Sequence, residues 1–143
     1  MSLRFPNDYT VLEAAENILN IERYAFESSL FSLFNKRDHA DLIKRITYNK
    51  DVLHNVANNL ENKKTSEKTN EDIYLQQFSL CLIRLADMII LVCSGLDLKT
   101  KGFPYSHQQY KSGLTLIEME KVKCLRASEQ CNLQEKWLKL IKN

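Results

Sequence analysis

The chain has 143 residues, a net charge of +2 and 44% hydrophobic side chains, which bounds it to a single domain over 1–143 and implies neither a strong nucleic-acid field nor an acidic partner. Only three Gly and two Pro are present, too few turn residues for a many-stranded β fold, so the composition predicts an all-α protein. The charge is uneven: residues 1–96 carry 11 basic and 13 acidic side chains, whereas 97–143 carry 9 basic and 5 acidic, leaving the C-terminal third mildly basic.

The first helix is expected to open at Thr10, where Thr10-x-x-Glu13 has the capping-box form, and to run to about Phe34. Val11, Leu12, Ala15, Ile18, Leu19, Phe26, Leu30 and Leu33 recur at three- and four-residue steps and make one apolar stripe. A second helix is expected from near Asp38, burying Leu42, Ile46, Leu53, Val56, Ala57 and Leu60. The stretch 62–70, NKKTSEKTN, has no apolar residue to pack and reads as a flexible, solvated loop.

The third helix should start around Asn70 to Asp72 and end at Gly95 as a C-cap. It contains the 19-residue run Phe78 to Leu96, whose only charges are Arg84 and Asp87. A helix apolar on every side must be surrounded by other helices or by lipid, and a charge pair in its middle argues for protein surroundings. A second connection is expected over 96–106, with Gly102 and Pro104 as breakers. Helix four should occupy about His107 to Gln130, with Leu114, Ile117, Val122 and Leu125 facing inward. Asn132-x-x-Glu135 reads as a capping box for a short last helix bearing Leu133, Trp137, Leu140 and Ile141. The fold class that follows is an antiparallel four-helix bundle with a short extra C-terminal helix.

The four cysteines, Cys81, Cys93, Cys124 and Cys131, lack Cys-x-x-Cys pairing and sit among aliphatic residues, as buried reduced thiols would. The N-terminal stretch MSLRFPNDYT has no apolar h-region, so a cytoplasmic, non-membrane location is the expectation. His39 and His54 would lie about 22 Å apart on one helix, and Asp51-x-x-His54 has no second copy, so no metal is assigned.

Arg84 and Asp87 are the first candidate site, because a charge pair on a buried helix is costly unless satisfied. Either they form a structural ion pair, shared with polar groups from the first or second helix, or Asp87 faces a pocket. The segment Arg84-Leu85-Ala86-Asp87-Met88-Ile89-Ile90-Leu91, followed by Gly95-Leu96-Asp97-Leu98, resembles the third helix of the all-α nucleoside triphosphate pyrophosphohydrolases of the MazG type, which typically read E-L-A-D-V-L-I before a G-x-D-L turn. The resemblance implies a Mg²⁺ site built from several carboxylates, of which Asp87 matches. Arg84 stands where that family has Glu, and the second helix offers Asp51 alone between Asp41 and Glu61. A chain of such descent would be catalytically inert or would have rebuilt its site.

The second candidate is an interface. Tyr24, Phe31, Phe34, Tyr105, Tyr110 and Trp137 either fill the core or leave an aromatic patch that marks contact with another protein or a second copy of this chain. Lys121, Lys123, Arg126, Lys136, Lys139 and Lys142 have weak aromatic interleaving and read as a solvated helix surface, against nucleic-acid binding. The sequence therefore predicts a non-enzymatic protein-interaction module, a small regulator, adaptor or inhibitor without a cofactor. The alternative is a degenerate nucleoside triphosphate pyrophosphohydrolase using Mg²⁺.

Overall fold

A computed structural model describes residues 6–26 and 38–142. These form five helices and no strand: α1 (Pro6–Phe26), α2 (His39–Glu61), α3 (Asn70–Thr100), α4 (His107–Gln130) and α5 (Gln134–Lys142). The all-α class and the short C-terminal helix are as the composition implies.

The helix ends show which local signals decide. Pro6 occupies the first helical position of α1, where its missing N–H costs nothing, so Thr10 lies inside the helix and is not its cap. The expected continuation of α1 to Phe34 lies outside the described residues. Asp38 caps α2 by accepting from the Asp41 N–H at 3.0 Å. Thr69 and Asp72 form a reciprocal capping box on α3, with bonds of 3.1 and 3.0 Å, and Ser106 and Gln109 do the same for α4. Residues 62–67 are exposed, as their composition predicts, and contain a turn in which the Glu67 N–H donates to the Lys64 carbonyl at 2.8 Å.

Two expected ends are corrected. Helix α3 does not stop at Gly95 but runs on to Thr100, and the left-handed residue is Gly102 at φ 91°. There the Phe103 N–H reaches the Leu98 carbonyl at 2.9 Å and the Gly102 N–H reaches Lys99 at 3.1 Å, the paired bonds of a Schellman end. Asn132 is not the N-cap of α5. It takes φ 61° and closes α4 by the same device, with Leu133 donating to Ser128 at 2.9 Å, and α5 starts one residue later than an Asn132 cap requires.

Helix α3 is the hub, packing on α1, α2 and α4. Lys63, in the turn after α2, meets Asp72 of α3, and Lys50 of α2 meets Asp87. Against α4, Tyr105 lies over Gly95 and Val92 over Gly113. Lys121 on α4 reaches Glu22 on α1 at 2.8 Å, with both side chains largely buried. At one end of α1 the rings of Phe26 and Tyr110 meet edge to face with centroids 6.2 Å apart.

The core is filled by Ile18 and Leu19 of α1, Ile46, Leu53 and Leu60 of α2, and Phe78, Leu82, Leu85 and Ile89 of α3. Trp137 of α5 is fully buried with its ring edge-on to Phe78 at 5.9 Å, so it is a core residue and not an interface anchor. Val122, expected inward, is half exposed, because the buried face of α4 is set by Ile117, Cys124 and Ser128. All four cysteines are buried and free.

Candidate functional site

Helix α3 is buried along one side only. Its outward side carries Ile73 and Leu80, each 37% exposed, then Leu91 at 60% and Leu98 at 45%. Ile73 and Leu80 are seven residues apart, as are Leu91 and Leu98, so each pair returns to the same face of the helix. Gln77, Arg84, Asp87 and Ser94 fill the stripe between them, giving alternating steps of three and four residues. The expectation that this helix is enclosed on all sides is thus overturned. Its most apolar window is long enough to cross a membrane, yet half of that window is buried in the fold, as befits a core helix that keeps one face open.

Neighbouring elements carry exposed apolar side chains of their own. Leu116, three residues after the Gly113 that touches α3, is 45% exposed, and Met119 one turn on is 52% exposed. Phe103, 58% exposed, follows the C-terminal end of α3, where its N–H makes the Schellman bond to Leu98.

The charges in the stripe do not pair with each other. Asp87 Oδ1 meets Lys50 Nζ of α2 at 2.7 Å, with 43% of the Asp87 side chain still exposed. Arg84 is exposed and donates to Cys81 Sγ at 3.1 Å. The direct Arg84–Asp87 pair is therefore corrected to two surface charges held by different neighbours, while the expected sharing with the second helix is present in the Lys50–Asp87 bridge. Asp51 is exposed on α2, and among the described residues no group of three His, Cys, Asp or Glu side chains is placed to hold a metal ion.

Among the described residues the predicted interface aromatics fall in different places. Tyr105 is half-buried over Gly95, and burial, with smaller contributions from Tyr110 and Cys93, raises its phenol above the usual range. Tyr110 is half-buried against Phe26 and His107. Tyr24 is exposed on α1, while Phe31 and Phe34 lie outside the described residues. Burial pushes the Cys93 and Cys131 thiols up to about 12 and raises Cys124 as well, so these three are poor nucleophiles.

No protein-family model, curated protein or solved structure matches this chain.

A shallow hollow between α1 and α2 is lined by Asn17, Ile21, Lys44, Tyr48 and Asn49. Its polar centre is already closed by a 3.0 Å bond from Asn17 Nδ2 to Asn49 Oδ1. The aliphatic stripe of α3 is the stronger candidate, and it was legible in the seven-residue spacing of Leu91 and Leu98 had the charged positions of the same helix been used to mark its open side.

Proposed function

We propose that this chain is a protein-binding helical module of the cytoplasm, which takes its partner on the outward stripe of α3 and the adjoining rim of α4. The observation that carries this reading is the aligned set of exposed aliphatic side chains Leu80, Leu91 and Leu98 on one face of α3, with Leu116 and Met119 exposed on α4, the helix packed against it. Single exposed leucines are ordinary on any surface, whereas an aligned set spaced for one helix to lie along is the pattern by which amphipathic helices recognise each other. Completing the burial of a residue as open as Leu91 gains about 1–2 kcal/mol, so several together can offset the cost of association. The free, buried thiols support a reducing compartment.

The test is a photoreactive amino acid placed at Leu91, at Leu116 and, as a control, at Lys64 in the exposed turn after α2, in cells that express the chain. Protein adducts from Leu91 and Leu116 but not from Lys64 are expected. No adduct from either of the first two positions removes the reading.

A further inference from the structure

The order of side chains along the outward stripe of α3 has a symmetry of its own. The midpoint between Arg84 and Asp87 lies between Leu85 and Ala86. Turned end for end about that midpoint, the stripe superposes Arg84 on Asp87, Leu80 on Leu91, Gln77 on Ser94 and Ile73 on Leu98. Each position is matched by one of complementary chemistry: opposite charges at the centre, aliphatic with aliphatic on either side, polar with polar beyond, and aliphatic again at the ends. From this we infer that a second copy of this chain is the partner, docked through α3 in antiparallel orientation about a two-fold axis that runs between the two helices, level with the Leu85–Ala86 bond. The inference deepens the protein-binding reading and rests on it.

The geometry suits such a pair. The stripe rises about 37 Å from Ile73 to Leu98, with the three- and four-residue alternation of the seam along which two helices pack knobs into holes. A two-fold interface must be self-complementary, since each residue meets the same surface patch on the other copy. Arg84 is exposed and Asp87 keeps 43% of its side chain open beside Lys50, so each can reach across without breaking the fold behind it.

The two charges fix the register. In a parallel pair Arg84 would face Arg84 and Asp87 would face Asp87 of the second copy. An antiparallel pair slipped by one heptad sets Arg84 against Leu80 or Ser94 and leaves both charges without their opposites. The central pairs thus penalise the wrong arrangements more than they strengthen the right one.

Sedimentation velocity over a concentration series tests this on the full chain, with circular dichroism confirming that each variant is folded. Wild type is expected to approach twice the 16.7 kDa chain mass. Leu91→Glu should weaken pairing at least about tenfold. Arg84→Asp and Asp87→Arg should each weaken it alone, because like charges then meet at the centre. Mixed in equal amounts, those two variants should pair with each other, since one copy then brings two carboxylates to the centre of the seam and the other brings two guanidinium groups, which restores both contacts. A wild-type monomer throughout the series overturns the inference, and so does a mixture that associates no better than its components. If photoadducts at Leu91 then prove to be with another protein, self-pairing falls while the module reading stands; if there are none, both fall.

Discussion

Trp137 shows how a single residue can be well packed and imperfectly satisfied at once. It is fully buried against Phe78, yet its indole N–H finds no acceptor among the described residues. An unpaired buried donor costs about 1–3 kcal/mol, which a phenyl ring in the same place would not incur. Trp137→Phe is therefore expected to change stability by less than about 1.5 kcal/mol, whereas Trp137→Ala should cost about 3–5 kcal/mol, read from urea midpoints by circular dichroism. From the sequence this residue stood between core and interface, because its spacing from Leu133 and Leu140 marks a face of α5 without saying what covers it. The thiols make a second residue-scale case. With Cys93 and Cys131 held up to about 12 against 9.0, the folded state keeps protons that the unfolded chain releases above pH 9. Their contribution to stability is thus complete below pH 9 and is lost as pH rises toward 12. Iodoacetamide at pH 8 should leave Cys93, Cys124 and Cys131 intact in the native protein and alkylate all four cysteines in denaturant. Rapid native labelling of Cys93 would contradict its buried placement.

At the scale of elements, Gly95 joins backbone choice to packing. A Cβ there would collide with the Tyr105 ring, so Gly95 serves close approach within α3, and the helix ends only at the left-handed Gly102. Two effects of opposite sign follow from adding that methyl. Ala is favoured over Gly in a helix interior by about 1 kcal/mol, while overpacking costs about 1–3 kcal/mol. Gly95→Ala is expected to destabilise the wild type by roughly 1–2 kcal/mol and to stabilise a Tyr105→Ala background, so that the sign of its effect reverses in a double-mutant cycle. An unchanged sign would mean that the ring moves aside freely. The same position explains what the sequence left hidden. Helices α2, α3 and α4 start where their Asp, Thr or Asn-Glu-Asp, and Ser signals stand, because N-caps act through bonds only three residues long. The end of α3 was misplaced because a glycine that admits a neighbouring ring and a glycine that turns the chain look alike until Tyr105 is in place. Asn132 misled in the same way: an Asn before an acidic residue suits an N-cap, but its left-handed backbone closes the helix behind it. The candidate surface was masked by hydropathy itself, since a continuous apolar run hides which of its leucines face out.

For the whole molecule, the open side of α3 couples association to stability. Leu91 and Leu98 lie on the solvent side in a single copy, so replacing either should alter the folding of an isolated chain by no more than about 0.5 kcal/mol. If two copies close on that side, only the folded form can do so, and mass action adds stability as concentration rises. The melting temperature of wild type should then climb by about 2–4 °C for each tenfold rise in concentration, while Leu91→Glu should melt at one temperature across the series. At high dilution the two curves should converge, because the substitution leaves the single-copy core of Phe78, Leu85, Ile89 and Trp137 untouched. A Leu91→Glu protein that melts well below wild type at every concentration would place that leucine in the folding core instead. In that case the outward stripe would be part of what holds one copy together, and the surface on which both functional readings stand would not exist.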